Sequence, residues 1–170
     1  MASINVESLC WKKNPLGWFK FNVDGAVSLH SFRAGCGGVM RDASGKWVVG
    51  FTKELGIWQA FSAEVWAILE GLMIAWDMGF KNIIIETDAE EVVQFILEGT
   101  DSESLQLLKI RELLRKDWNV IVQFISRDCN RVADTLAKLG IAKSSILEVC
   151  PSYVGSWIYQ ECLGLISPYV

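Results

Sequence analysis

The chain contains a single histidine, only three prolines, and no apolar stretch near the roughly 20 residues that a membrane-spanning helix needs. Runs such as residues 83–85 and 121–125 fall far short, so no helical span and no membrane partner are expected. No basic segment followed by an apolar run and a small-residue cleavage site stands near the start. An intracellular location, nuclear or cytoplasmic, is expected. The five cysteines, Cys10, Cys36, Cys129, Cys150 and Cys162, are odd in number, widely spaced and form no C-x-x-C pair. That excludes a disulfide framework and a thiolate zinc site, leaving reduced packing thiols. No glycine-rich phosphate loop follows the first strand, which excludes a doubly wound nucleotide-binding domain. His30, alone in a loop, reads as a surface residue.

Positive charge is also scarce: the formal net charge is −4. Phosphate binding draws free energy from Lys and Arg displacing counterions, so this balance counts against a polyanionic partner unless the acids themselves bind cations. At 170 residues and 51% apolar composition, one sizeable core is affordable and two ordinary domains are not. A monomer is expected.

The period of the apolar residues gives the elements. WFKFNVDGA (18–26) alternates, with Phe19, Phe21 and Val23 on one side, as a half-buried strand does. GCGGVMRD (35–42) and KWVVGFTKE (46–54) flank the turn signal Asp42-Ala43-Ser44-Gly45 and read as a hairpin. Val65, Leu69, Leu72, Met73 and Trp76 place a helix over 60–78. KNIIIET (81–87) reads as an interior strand buried on both faces. Helices follow over 88–99 and over 102–117, the second opened by Ser102. WNVIVQFIS (118–126) reads as a fifth strand, with Val120, Val122 and Phe124 outward of Ile121 and Ile125. NRVADTLAKLG (130–140) reads as a last helix capped by Asn130.

The order β-β-β-α-β-α-α-β-α predicts an α/β fold: a five-stranded mixed sheet, three strands antiparallel and two added through helical crossovers, with helices on both faces. The expected organisation is an N-terminal extension over 1–16, one domain over 17–143, and a C-terminal tail over 144–170. That tail keeps no clear period yet is apolar. Trp66 and Trp76 on the first helix and Trp47 in a strand read as core packing, while Trp118 stays open to either packing or base stacking.

Acids are usually solvated, so an acid embedded in an apolar run requires a reason. Asp24 lies between Val23 and Gly25; Glu64 between Ala63 and Val65; Asp88 ends the run IIIET; Asp134 follows Val132 and Ala133. All four fall at strand ends or helix starts, where a fold can gather side chains into one cleft. Clustered carboxylates repel unless protons or cations compensate. Mg²⁺ or Mn²⁺ prefers oxygen ligands, and pairs of such ions about 3.5 to 4 Å apart stabilise an in-line displacement at phosphorus. Glu86, Glu90 and Glu91, close to Asp88, read as ordinary solvated residues.

These residues carry a resemblance. W-x-x-x-P…GWFKFNVDGA (11–26), AGCGGVMRDASG (34–45), SAEVWAILEGLMIAWDMG (62–79), IIIETDAEEVV (83–93) and NRVADTLAKLG (130–140) resemble, in order, the ribonuclease H domain of plant non-LTR retroelements, over about residues 11–143. The resemblance implies a ribonuclease H-like fold and an endonuclease that cuts the RNA strand of RNA/DNA hybrids by two-metal-ion hydrolysis, leaving a 3′-hydroxyl and a 5′-phosphate. It implies Asp24, Glu64, Asp88 and Asp134 as catalytic metal ligands, two Mg²⁺ or Mn²⁺ ions as cofactors, and a place in a reverse-transcriptase polyprotein. Candidate nucleic-acid contacts are Gly37 and Gly38; Lys109, Arg111, Arg115 and Lys116; and Arg127, Asn130 and Arg131. For the basic row on the third helix, a solvated outer face is the commoner explanation.

Two departures stand out. Many members of the similar family carry a histidine in the loop before the last helix, where this chain has Arg127 in SRDCN. They also often place an Asn pair or Asn-Gln before the catalytic Glu, touching RNA 2′-hydroxyls, where this chain has Ala60 and Phe61. A non-catalytic nucleic-acid-binding or interaction domain, domesticated from a retroelement, is the second reading.

Overall fold

A computed structural model describes residues 11–99 and 104–162. Strands β1 (Phe19–Val27), β2 (Arg33–Arg41) and β3 (Trp47–Ile57) form the expected antiparallel meander. Helix α1 (Ala60–Asp77) crosses to β4 (Asn82–Thr87), which pairs parallel with β1. Helices α2 (Glu90–Glu98) and α3 (Leu105–Leu114) lead to β5 (Asn119–Phe124), parallel to β4. A 3₁₀ turn (Arg127–Cys129), α4 (Arg131–Gly140), β6 (Ser145–Leu147) and α5 (Ser152–Cys162) follow. The sheet order is β5-β4-β1-β2-β3-β6, which puts β1 and β4 side by side in the interior of the sheet.

Two cores sandwich this sheet. On one face Phe21, Val23, Ile83 and Ile85 meet Ile68, Leu69 and Leu72 of α1, and Val92 and Ile96 of α2 with Leu107 and Ile110 of α3 join the same core. On the other, Val39 meets Val132 and Leu136 of α4 and Val154 and Ile158 of α5. The α1 stripe falls where its spacing predicts, except that Met73 is exposed. Gly99 ends α2 in the left-handed conformation that favours glycine.

The sheet has six strands rather than five. Its sixth, β6, is three residues long and pairs with β3, and Val154 and Ile158 of α5 cover the second core, so the stretch without a clear period carries a strand and a helix. Ser102, expected to open the third helix, lies outside the described residues, as does Cys10. Cys36 and Cys129 are buried and Cys150 half-buried, and none of the three is in a disulfide.

Several side chains differ from expectation. On β5 it is Val122 that is buried and Ile121 that is exposed, because the parallel pairing Ile85↔Val122 turns Val122 onto the α1-side core. Trp118 packs its ring on Trp76 at 5.2 Å and donates its indole N–H to the Leu113 carbonyl at 2.8 Å, a packing role. Glu86 is buried, not solvated, and pairs with the equally buried Lys20 at 2.8 Å. A carboxylate at an interior strand position is tolerable only with such a partner.

Candidate metal centre

The polar half of β1 positions the site. Phe21 and Val23 point into the α1-side core, and Lys20, Asn22 and Asp24 alternate with them, all buried. Residue 25 must be glycine for the next element to arrive. A Cβ there would lie 2.5 Å from the carbonyl carbon of Ala63 and 2.7 Å from the amide nitrogen of Glu64, so the first turn of α1 rests on the bare strand. That contact brings Glu64 beside Asp24. Asp88 arrives from β4, the parallel neighbour of β1, one residue past the strand end. Asp24, Glu64 and Asp88 each offer a carboxylate oxygen, and these oxygens lie within 4.8 Å of one another.

Crowding and burial change the chemistry of these acids. Burial pushes the Asp24 carboxyl far above the usual carboxylate range, and the charges of Glu64, Asp88 and Asp134 push it further. Burial likewise raises Glu64; a hydrogen bond with Asp24 opposes this and the charge of Asp88 reinforces it. Without a cation, the pair therefore retains a proton that ordinary carboxylates give up. Glu64 Oε2 is buried with no hydrogen-bond partner, which is costly unless something electropositive sits beside it. Three convergent hard oxygen donors and one orphaned buried oxygen fit Mg²⁺ or Mn²⁺ and suit no soft metal.

Asp134 stands at the rim. It lies in the first turn of α4, outside the convergent three, and its Oδ2 holds Lys138 Nζ at 2.9 Å. It is near enough for its charge to raise Asp24.

A buried polar network underlies the centre. The Asn130 side-chain amide donates to the Val23 carbonyl at 2.9 Å, and the Asn22 amide donates to Asn130 Oδ1 at 3.3 Å and to Glu86 Oε2 at 3.2 Å. Glu86 Oε1 accepts from Lys20 and from the Gln123 amide, and the Trp11 indole N–H closes over Asn22 Oδ1 at 2.9 Å. Reasoning from sequence missed Lys20, Asn22, Glu86 and Gln123. The available signal was the polar row of β1, on a strand central enough to be covered on both faces.

The proposed nucleic-acid contacts divide. Asn130 occupies the position before α4 without capping it, is buried, and spends its side chain inside the network, so it offers no surface to a ligand. Gly37 lies beneath α4, where a Cβ would sit 2.4 Å from the Leu136 carbonyl carbon, and Gly38 is enclosed by Asn22 and the rings of Phe51 and Phe21. Neither glycine is a surface. Lys109, Arg115 and Lys116 are exposed on or just after α3, and Arg111 is half-buried. Arg131 is half-buried at the start of α4, and Arg127 is 85% exposed with its Nε 3.5 Å from Asp88 Oδ2. Ala60 is exposed, whereas the Phe61 ring packs edge-on against Phe95 at 5.7 Å.

Residues 22–140 match the family described as reverse transcriptase-like. A protein of Arabidopsis thaliana, named provisionally as a ribonuclease H protein, is 34% identical over 164 residues; that match covers 93% of this chain and 26% of the relative. The chain thus spans about a quarter of that relative's length. The crystal structure of RNase H1 from Halobacterium salinarum superposes with a TM-score of 0.66 at 25% identity, covering 73% of this chain and 97% of that one. LC11-RNase H1, in a complex with an RNA/DNA hybrid, superposes with a TM-score of 0.65 at 20% identity, covering 72% of this chain and 96% of that one, a likeness of fold. The chain belongs to the reverse transcriptase-like family and has the fold of ribonuclease H1.

Proposed function

We propose that the chain is a divalent-metal-dependent endoribonuclease acting on the RNA strand of RNA/DNA hybrids. The observation that carries this reading is the convergence of Asp24, Glu64 and Asp88 from three separate segments onto one spot, with the buried Glu64 Oε2 lacking a hydrogen-bond partner. Such a cluster costs stability when empty, and a fold retains that cost where the charge is used. With Asp134 at the rim, the three would hold Mg²⁺ or Mn²⁺, two ions in the fullest reading, supplying charge to the phosphodiester and a more acidic water.

The chain's own residues do the rest. Asp24 and Glu64 hand over their retained proton as a cation is taken up. Asn130 keeps β1 and α4 in register, and with them Asp24 and Asp134. The buried network holds β1 against β4, which fixes the approach of Asp88. Hybrid recognition is supported by the complexed neighbour of like fold. A place in a longer reverse-transcriptase protein is supported by the family matched.

A second reading, a non-catalytic nucleic-acid-binding domain, is favoured by one observation. Phe61 turns its ring onto Phe95, so neither it nor Ala60 offers a hydrogen bond to an RNA 2′-hydroxyl.

The test is direct. Labelled RNA/DNA hybrid, double-stranded RNA and single-stranded RNA are incubated with the protein in Mg²⁺, Mn²⁺ or EDTA. Hybrid cleavage in metal, lost in EDTA, is expected; hybrid binding without cleavage in either metal would favour the second reading.

A further inference from the structure

Two of the four acids already have partners. Arg127 Nε stands 3.5 Å from Asp88 Oδ2, and Lys138 Nζ stands 2.9 Å from Asp134 Oδ2. Both cations come from one piece of chain, the 3₁₀ turn and the helix that follows it. Both sit on the solvent side of their pairs: Arg127 is 85% and Lys138 66% exposed, against 10% for Asp88 and 31% for Asp134. Among the described residues no ion pair reaches Asp24 or Glu64. The cluster is therefore compensated in two ways, by a retained proton within and by basic side chains at the rim.

Rim pairs of this kind are weak. They are solvated, screened by salt and held by long flexible side chains. A divalent ion carries twice the charge and approaches carboxylate oxygens to about 2.0–2.1 Å in the case of Mg²⁺, so it out-competes a guanidinium for Asp88. Yet the guanidinium must leave before that charge is fully available. The same holds for Lys138, which reaches back one helical turn to Asp134.

We propose that Arg127 and Lys138 are resident counterions of the metal-free site, which release Asp88 and Asp134 when a divalent cation arrives and so set the cation concentration at which the site fills. This rests on the metal-site reading above and adds to it a pair of residues that tune occupancy without being ligands.

The experiment is calorimetric titration of Mn²⁺ into the wild-type chain and into R127Q, K138Q and the double variant. R131Q serves as a control that removes one charge from the same helix without touching either pair. Each paired variant is expected to bind Mn²⁺ about two- to fivefold more tightly, the range an exposed ion pair represents, with roughly additive effects in the double variant. By linkage, R127Q and K138Q should melt lower than wild type in EDTA and match it in saturating Mn²⁺. Paired variants that bind Mn²⁺ no better than wild type, or no better than R131Q, overturn the exchange and leave the metal site standing. A wild-type chain that binds no Mn²⁺ overturns the metal-site reading itself, and the exchange with it.

Discussion

The Asn130 side-chain amide donates to the backbone carbonyl of Val23 at 2.9 Å, tying the strand residue before Asp24 to the residue from which the α4 turn bearing Asp134 begins. The Asn130 carbonyl in turn accepts from the Asp134 amide at 3.0 Å. One buried side chain thus sets the spacing between a deep carboxylate and a rim carboxylate. Replacing Asn130 with Ala leaves the Val23 carbonyl and the Asn22 amide short of a partner, at a cost of about 1–3 kcal/mol. Urea denaturation should show that loss, with cleavage falling more than hybrid binding. A variant as stable and as active as wild type would remove the positioning role.

Replacing Asp24 with Asn should abolish cleavage and leave the metal-free fold as stable as wild type or more so. The substitution removes a charge that burial and three neighbouring acids all disfavour. Hybrid cleavage assays and melting curves in EDTA check the two halves independently. Retained activity would sink the metal-site assignment.

The raised carboxyls also set a pH dependence. Above about pH 4 the unfolded chain gives up protons that the folded, metal-free centre keeps. Folding stability in EDTA should therefore fall as pH rises from there through the raised folded-state values, by about 1.4 kcal/mol per pH unit for each proton so retained. Because metal uptake expels that proton, the gain in melting temperature on adding Mn²⁺ should grow over the same span. Denaturation in EDTA and in Mn²⁺ at several pH values tests this. A metal-free profile that is flat, or that rises, would contradict the crowded geometry of Asp24 and Glu64.

Gly25→Ala probes the seat of α1. A new Cβ would fall 2.5 Å from the Ala63 carbonyl carbon and 2.7 Å from the Glu64 amide nitrogen, both backbone atoms that cannot turn aside. The helix start must move, at a cost of about 1–3 kcal/mol. Glu64 should move with it, so Mn²⁺ affinity ought to drop by more than it does for an equally destabilising change in the second core, such as Ile158→Ala. Equal losses would mean that the glycine serves packing alone.

The basic row of α3 invites a different measurement. Replacing Lys109, Arg111, Arg115 and Lys116 with Gln should weaken hybrid binding and flatten its salt dependence, each lost phosphate contact lowering the logarithmic slope by about 0.9. The rate at saturating hybrid should barely change, since such contacts bind ground and transition states alike. An unaltered slope would mark the row as solvated helix surface and shift attention to Arg127 and Arg131. Arg41 is not available for that task, being buried against Glu161 and the Trp11 ring.

Much of the centre was legible in the sequence because its acids interrupt apolar runs. Asp24 after FKFNV, Glu64 inside a helical stripe and Asp88 after IIIET are each out of place beside a core, and those misfits converge in space. The meander and the crossovers were legible for the same reason, since two clean periods alternate along the chain. What escaped was polar burial. Glu86 reads singly as solvated, and its partner Lys20 is 66 residues away; only the parallel pairing of β1 with β4 shows that they neutralise one another. The edge strand β5 misled because short apolar runs look alike from either side, and its parallel pairing with β4 turns Val122 inward. Helix α5 was hidden by aromatic and polar residues around Val154 and Ile158, whose spacing of four is too brief a stripe to stand out.

The Arg41 guanidinium has a further consequence for how the chain can be divided. It stacks over Trp11 at 4.5 Å and pairs with Glu161 of α5, so residues distant in sequence meet at one enclosed charge on the α5 face of the sheet. Cutting away α5 would strand that cation, a loss on the order of 3–5 kcal/mol, comparable with the whole stability of a marginal domain. The autonomous folding unit is therefore wider than the acidic motifs that mark it. An excised fragment meant to behave as this domain must run at least from Trp11 to Glu161, and one trimmed to the motifs should be recovered as insoluble material.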